Sequence, residues 1–361
     1  MGVGAVARAR TVLLAAREAD LRPGELCEEV IRAVRSVADF HWCALMTTDP
    51  ATLLPSGGVV HGFPREACAP YWDNELLDPD FNKFVDLARR VDPVATLVEA
   101  VDGDLTRSPR VTGLYASLGI ADELRVVFVA GSSCLATGTF VRPAHLGPFT
   151  AEELTDVRAL VPVATSALRA SLGSPHVTAP QAPPAVVLLD GEGAVTAMTE
   201  GASALLDDLR VSVDGELPGV LSIAATKARW SRAGTTVTTR VRGRSGRWLR
   251  LHVAPLAGDP STVAATLDAA RPDDTAQILL DSYGLTERET EIVLWLCRGL
   301  SAKEVASELL ISPHTVRDHI KAIYEKAGVN SRGALVAGLF SDHLLDRFHD
   351  EVSHMDDLAT N

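Results

Sequence analysis

No run of apolar residues in this 361-residue chain approaches the ~18–20 needed to cross a bilayer. The first segment has Arg8 and Arg10, then only Thr11–Ala16 before Arg17 and Glu18, which is too short for a signal-peptide core. Val6 stands where a myristoylation signal after Gly2 needs Ser or Thr. A cytoplasmic protein with no membrane partner is expected. Paired cysteines are also lacking. Cys27, Cys43, Cys68, Cys134 and Cys297 stand singly, without C-x-x-C or Cys/His ligand spacing. That excludes a metal centre built on local sequence and predicts reduced thiols, packed as small hydrophobes. Catalytic signatures are absent: there is no G-x-S-x-G, H-E-x-x-H or P-loop, and the pair Gly57-Gly58 has no P-loop lysine behind it. His41, His61 and Asp73 are isolated, so no enzyme is expected. The first strand candidate ends in Thr47-Thr48-Asp49-Pro50, after a helix and without an acidic pair, which excludes a phosphoreceiver. Positive charge is scarce. Lys and Arg number 34 against 47 Asp and Glu, for a net charge of −13 and a pI near 5.2. Such a balance fits a regulator better than a general nucleic-acid coat. What the chain does have is hydrophobic residues, at 47%, and enough length for two or three packed cores.

The densest information lies in residues 285–337. Thr286 with Glu289, and Ser301 with Glu304, are S/T-x-x-E capping boxes that satisfy orphan N–H groups at helix starts. Ser312-Pro313 is an N-cap followed by proline at the first helical position. Gly299 and Gly328 each follow a helical pattern, where a left-handed residue ends a helix cheaply. The spacing predicts four helices, over about 286–298, 301–309, 312–327 and 331–341. In the third, Val316, Ile320, Ile323 and Ala327 recur as an apolar stripe. Thr315, Arg317, Asp318 and Lys321 lie off that stripe. A helix so anchored can enter a major groove, where Arg and Lys donate to guanine O6/N7 and Asp accepts from cytosine N4.

This segment resembles the C-terminal DNA-binding domain of the LuxR family of bacterial transcription regulators (the LuxR/FixJ/GerE type). The motifs that carry the resemblance are L-T-x-R-E, K-E-V-A, S-x-x-T-V-x-x-H and G-V-x-S-R, over roughly residues 282–342. It implies that the third helix enters the major groove and the fourth helps the domain dimerise. Matched by motif, Arg317, Asp318 and Lys321 are the implied base readers. Lys303, Ser312, Thr315 and His319 are the implied phosphate contacts. Leu335, Val336 and Leu339 lie on the implied dimer helix. Ala302 departs from the family pattern, which most often has Asn there. Over 281–342, seven Lys/Arg stand against nine Asp/Glu, a balance of −2. Phosphate attraction usually dominates DNA affinity. One copy should therefore bind weakly, and a homodimer on a two-part site is expected.

Ahead of this end, a Pro- and Ala-rich stretch and a short polar one divide the chain. The expected organisation is 1–171, a GAF-like sensor domain; 172–183, a linker; 184–270, a PAS-like domain; 271–281, a linker; 282–345, the helix-turn-helix; and 346–361, an acidic tail. The fold class is multidomain α+β with a C-terminal all-α four-helix domain. In the first block, Glu25–Val37 and Leu76–Arg90 are predicted helical. Trp42–Thr48, Leu124–Ala130 and Cys134–Arg142 are predicted strands, and a capped helix runs from Thr150 to about Leu172. Strands followed by F-T-x-E-E and a long apolar helix resemble the last part of a GAF domain, a fold that holds a small-molecule pocket against its sheet. In the second block, Ala185–Leu189 is a strand stopped by Asp-Gly, Ala194–Met198 its return, and Glu200–Leu209 a helix. Thr235–Arg242 and Trp248–Pro255 form a hairpin, similar to a small PAS-like domain. Its loop gathers Arg240, Arg242, Arg244, Arg247 and Arg250, either a phosphate- or DNA-binding loop or a solvated face. No cofactor is identified, and an unknown small-molecule effector of the first domain is expected. Two functions are weighed. One is sequence-specific binding of double-stranded DNA, gated by the sensor-like domains. The other is a protein-interaction or dimerisation regulator without specific DNA binding.

Overall fold

The computed structural model describes residues 3–19, 21–64, 67–131, 133–172, 183–209, 219–231, 235–270, 274, 278, 280, 283–337 and 339. The expected acidic tail at 346–361, and all but the ends of the expected linker at 172–183, lie outside them. Among the described residues no helix is long and apolar enough to cross a membrane.

α1 (Val3–Glu18) and α2 (Pro23–Arg35) open the chain. α2 starts on proline, whose fixed φ suits a first turn, and it buries Leu26, Cys27, Val30, Ile31 and Val34 at helical spacing. β1 (Trp42–Thr48) and β2 (Pro55–His61) follow, then α3 (Cys68–Leu76), α4 (Phe84–Leu87), β3 (Val94–Thr96), α5 (Leu97–Ala100) and α6 (Pro109–Thr112). β4 (Ile120–Ala130), β5 (Ser133–Pro143) and α7 (Ala151–Leu172) complete the unit. Its sheet is antiparallel in the order β2-β1-β5-β4-β3. α1, α2 and α7 cover one face, where Leu13, Val30, Leu160 and Ala164 meet Leu45, Val126, Phe128 and Phe140 in one core. Thr150 begins α7 as expected: its Oγ1 accepts from the Glu153 amide at 3.3 Å, and its own N–H donates to Glu153 Oε2 at 2.8 Å.

A second unit contains β6 (Ala185–Leu189), β7 (Val195–Met198), α8 (Ala202–Leu209), α9 (Gly219–Trp230), β8 (Val237–Arg242), β9 (Trp248–Leu256) and β10 (Asp259–Ala269). Its sheet order, β7-β6-β10-β9-β8, repeats the order of the first. In both units the last strand pairs with the first, and the opening hairpin extends the sheet beyond it. The third part is helical: α10 (Glu287–Cys297), α11 (Ala302–Glu308), α12 (Pro313–Ala327) and a fourth helix over 332–337. The α+β class with a helical C-terminal domain is as expected.

Several elements differ from the sequence reading. Leu76–Arg90 is not one helix. α3 ends at Leu76, Pro79 follows, and Asn82 takes a left-handed backbone with φ 54°. The polar groups of this stretch are drawn inward instead: Asn82 Nδ2 donates to Thr96 O, and Lys83 Nζ to the carbonyls of Asn74 and Glu75. α1, β2, β3, α9 and β10 were not anticipated. β2 contains Gly57-Gly58 and shows no clean alternation. A Cβ on Gly58, where φ is +142°, would collide with the Leu45 carbonyl of β1, so glycine there serves close strand approach. The first unit also contributes to the core of the second. Met46, Leu54 and Trp72 of the first share one cluster with Val187, Leu221 and Leu251 of the second.

Candidate nucleic-acid interface

The helical domain is assembled by its motif residues. Thr286 Oγ1 accepts from the Glu289 amide, and the Thr286 N–H donates to Glu289 Oε2 at 2.7 Å. The same carboxylate, 5% exposed, takes Lys326 Nζ at 2.5 Å and so ties the end of α12 to the start of α10. Burial pushes the Glu289 carboxyl up, but Lys326 and Thr286 outweigh it and hold it below its ordinary value. Arg288 Nη2 donates to Leu309 O at 2.9 Å, at the end of α11. Arg332 donates to Leu300 O at 3.1 Å and to Leu296 O at 2.5 Å, a carbonyl that also accepts from the Gly299 amide, and so ties the fourth helix to the end of α10. Gly299 (φ 100°) and Gly328 (φ 69°) have the left-handed conformation expected of helix ends.

α12 is held by Val316 and Ile323, both fully buried, with Ile320 and Ala327 partly buried beside the same core. Ser312 Oγ accepts from the Thr315 amide at 3.0 Å and caps the helix as expected. The opposite face is open. Arg317, Asp318 and Lys321 are exposed together on it, with Ser312 and Thr315 at its start and Lys303 exposed on α11. His319 is half-buried. His314, which the sequence reading left out, also lies on this face. Its Nδ1 stands 2.9 Å from Asp318 Oδ2, so the acidic reader candidate is paired within its own helix. The i, i+4 spacing of His314 and Asp318 is the sequence signal of this pair. Lys321 Nζ lies 4.0 Å from Glu325 Oε1. Between α11 and α12, Leu310 is 92% exposed with a left-handed φ of 54°.

The fourth helix corrects one expectation. Leu335 (0% exposed) and Leu339 (1%) are in the core of their own domain, packed with Ile292, Leu296 and Val305. They fasten the helix to its own bundle and are not free to form a dimer surface. Val336 is half-buried.

The cationic loop of the second unit resolves differently from either expectation. Arg240 faces Asp49 of the first unit: the Arg240 amide donates to Asp49 Oδ2 at 2.8 Å, and its guanidinium pairs with the same carboxylate. Arg242 Nη1 donates to Ser171 O at 2.8 Å. Arg250 pairs with Asp268 and Asp274. Arg244 remains exposed.

The face of the first sheet away from α1, α2 and α7, where the GAF resemblance implies a ligand pocket, is packed with the protein's own charges. Arg110 and Arg125, both buried, converge on Glu123 Oε2 at 2.6 and 3.2 Å. Tyr115 Oη donates to Glu123 Oε1, and Arg125 also pairs with Glu75 at 2.6 Å. Burial pushes the Glu123 carboxyl up, and the two guanidinium groups overcome this and lower it. Among the described residues no group of three or more His, Cys, Asp or Glu could hold a metal. Burial raises the Cys27 thiol to about 12 and those of Cys43 and Cys134 to about 11, which makes them poor nucleophiles.

Residues 283–338 match the model of the family described as bacterial regulatory proteins, luxR family. The chain is 46% identical over 55 residues to the spore germination protein GerE of Bacillus subtilis, covering 15% of this chain and 74% of that protein. It is 40% identical over 62 residues to the probable transcriptional regulatory protein NarL of Mycobacterium tuberculosis, covering 17% of this chain and 29% of that protein. Among solved structures, Escherichia coli SdiA aligns over 92% of this chain and 95% of its own, with 13% identity and a TM-score of 0.33.

Proposed function

The chain belongs to the luxR family of bacterial regulatory proteins, and from that premise we propose that it is a transcription regulator that binds a specific double-stranded DNA sequence as a homodimer. The observation that carries this reading is α12: capped by Ser312, anchored through Val316 and Ile323, and presenting Arg317, Asp318 and Lys321 together on an open face. Arg317 and Lys321 read guanine edges and Asp318 reads a cytosine amine. Lys303, Ser312, Thr315 and His319 contact phosphates. The protein acts in the cytoplasm, and its two α+β units, one GAF-like and one PAS-like, receive the signal of an effector.

The domain's charge balance favours a second reading, a dimerisation regulator that binds no specific DNA. Selection of full-length protein on random-sequence duplex pools at fixed salt separates the two. Enrichment of a discrete two-part site is expected. Recovery of unenriched pools, with uniform weak retention, would leave the second reading standing.

A further inference from the structure

Ile278 and Leu280 are two residues apart and lie in different cores. Ile278, 1% exposed, packs with Leu135 of β5, Leu172 at the end of α7 and Trp248 of β9, so it sits where the first and second units meet. Leu280, 5% exposed, belongs to the core of the helical domain. Two residues span at most ~7 Å, so the helical domain cannot leave the α+β units while Ile278 remains seated.

The same junction holds the chain four residues earlier. Arg240 Nη1 donates to the Asp274 carbonyl at 2.7 Å, and Arg250 Nη1 lies 3.4 Å from its carboxylate. Arg240 is the residue that faces Asp49 across the two units. One guanidinium therefore touches the first unit and the segment leading to the DNA-binding helices while belonging to the second. Further along, a Cβ on Gly131, in the β4–β5 turn, would lie 2.7 Å from the Leu285 carbonyl, so the helical domain also abuts the first unit directly.

We infer that Asp274 and Ile278 form a peg seated between the two α+β units, and that Arg240 and Arg250 are positioning residues which fix the direction in which α12 is presented. A signal that parts the first unit from the second loosens Asp49 from Arg240 and opens the Leu135–Leu172–Trp248 seat, and the helical domain is then released to reorient. The arginine-rich loop acts on DNA only through the peg. This deepens the DNA-binding reading, but its first test does not depend on it.

Backbone relaxation in full-length protein reads the peg without DNA. In the native chain the amides of α12 and β9 should share one rotational correlation time. In Ile278→Ser the α12 amides should lose that shared value and tumble faster while those of β9 keep it, and Ile278→Val should restore it. A second variant, with a flexible Gly/Ser segment of about eight residues inserted after Ile278, leaves every side chain of the seat in place, lengthens the tether and should release α12 in the same sense. It decides the matter if Ile278→Ser disturbs folding. Common tumbling of α12 and β9 in that second variant would overturn the inference. The DNA arm uses the selected two-part site with its halves moved apart by half a helical turn. Native protein should lose ~tenfold or more in affinity, because a rigid presentation forbids simultaneous engagement, and the released variants should lose much less. Equal sensitivity to spacing in native and released proteins would also overturn it. If no specific DNA is bound at all, the DNA-binding reading fails and the relaxation experiment still decides the peg.

Discussion

At the scale of single residues, the reading face of α12 and one buried carboxylate give the sharpest expectations. Arg317→Ala and Lys321→Ala should each weaken specific binding by ~1–3 kcal/mol and relax preference at particular base pairs. A gel-shift series on single-base operator variants checks this, and uniform weakening on all sequences would make them phosphate contacts. Asp122 is fully buried and accepts only backbone N–H groups, from Val98 at 3.0 Å, Glu123 at 2.8 Å and Phe149 at 3.3 Å. Burial raises its carboxyl to about 6, and the backbone donors offset only part of that. A raised value means that the folded state holds the proton more tightly than the unfolded state. The contribution to stability is therefore greatest below about pH 4 and is lost as the pH rises to about 6. Asp122→Asn removes that titration, and its amide confronts only the longest of the three donors. The variant should gain ~1–3 kcal/mol at pH 8 and little at pH 4. Thermal melts at the two pH values measure the difference, and an equal gain at both would refute the ionisation account.

At the scale of elements, helix ends carry the expectations. Ser312→Ala removes the cap of α12 and should cost ~0.5–2 kcal/mol of domain stability, read from the melting transition of full-length protein. Leu310 is almost wholly exposed and left-handed, a conformation that costs a β-carbon residue ~1–2 kcal/mol. Leu310→Asn should relieve part of that and raise the same transition, since almost no burial is lost. Leu335→Asp should unfold the helical domain, because it places a carboxylate in a position of 0% exposure. Far-ultraviolet circular dichroism would show the loss of helix. Retained helicity with lost dimerisation would instead put Leu335 on an intermolecular surface.

At the scale of the whole molecule, the two α+β units and the C-terminal helices form a connected body and not a string of independent modules. The shared apolar cluster around Met46, Leu54 and Trp72 and the buried Asp49–Arg240 pair join the first two units. Removing one partner of a buried pair leaves an uncompensated charge and typically costs ~3–5 kcal/mol. Asp49→Ala should accordingly lower the melting transition of both α+β units together. Two separate transitions, only one of them shifted, would show that the units fold independently.

The amino-acid sequence by itself was enough for the helix-turn-helix. Its signals are local: caps three residues apart, glycines at helix ends and an apolar stripe at helical spacing, each legible without knowing what packs against it. Trp42–Thr48 and the start of α7 were legible for the same reason. The tertiary structure alone decided the rest. Asp49 and Arg240 are 191 residues apart, and nothing in either neighbourhood announces that one arginine of a cationic run will be buried against that aspartate. Leu335 and Leu339 carry the same apolar signature whether they face a partner chain or their own core, so only packing could assign them. The repeated sheet order left no sequence period, because strand order is a property of hydrogen-bonded pairing between distant segments, while side-chain identity at each position answers to its own neighbours.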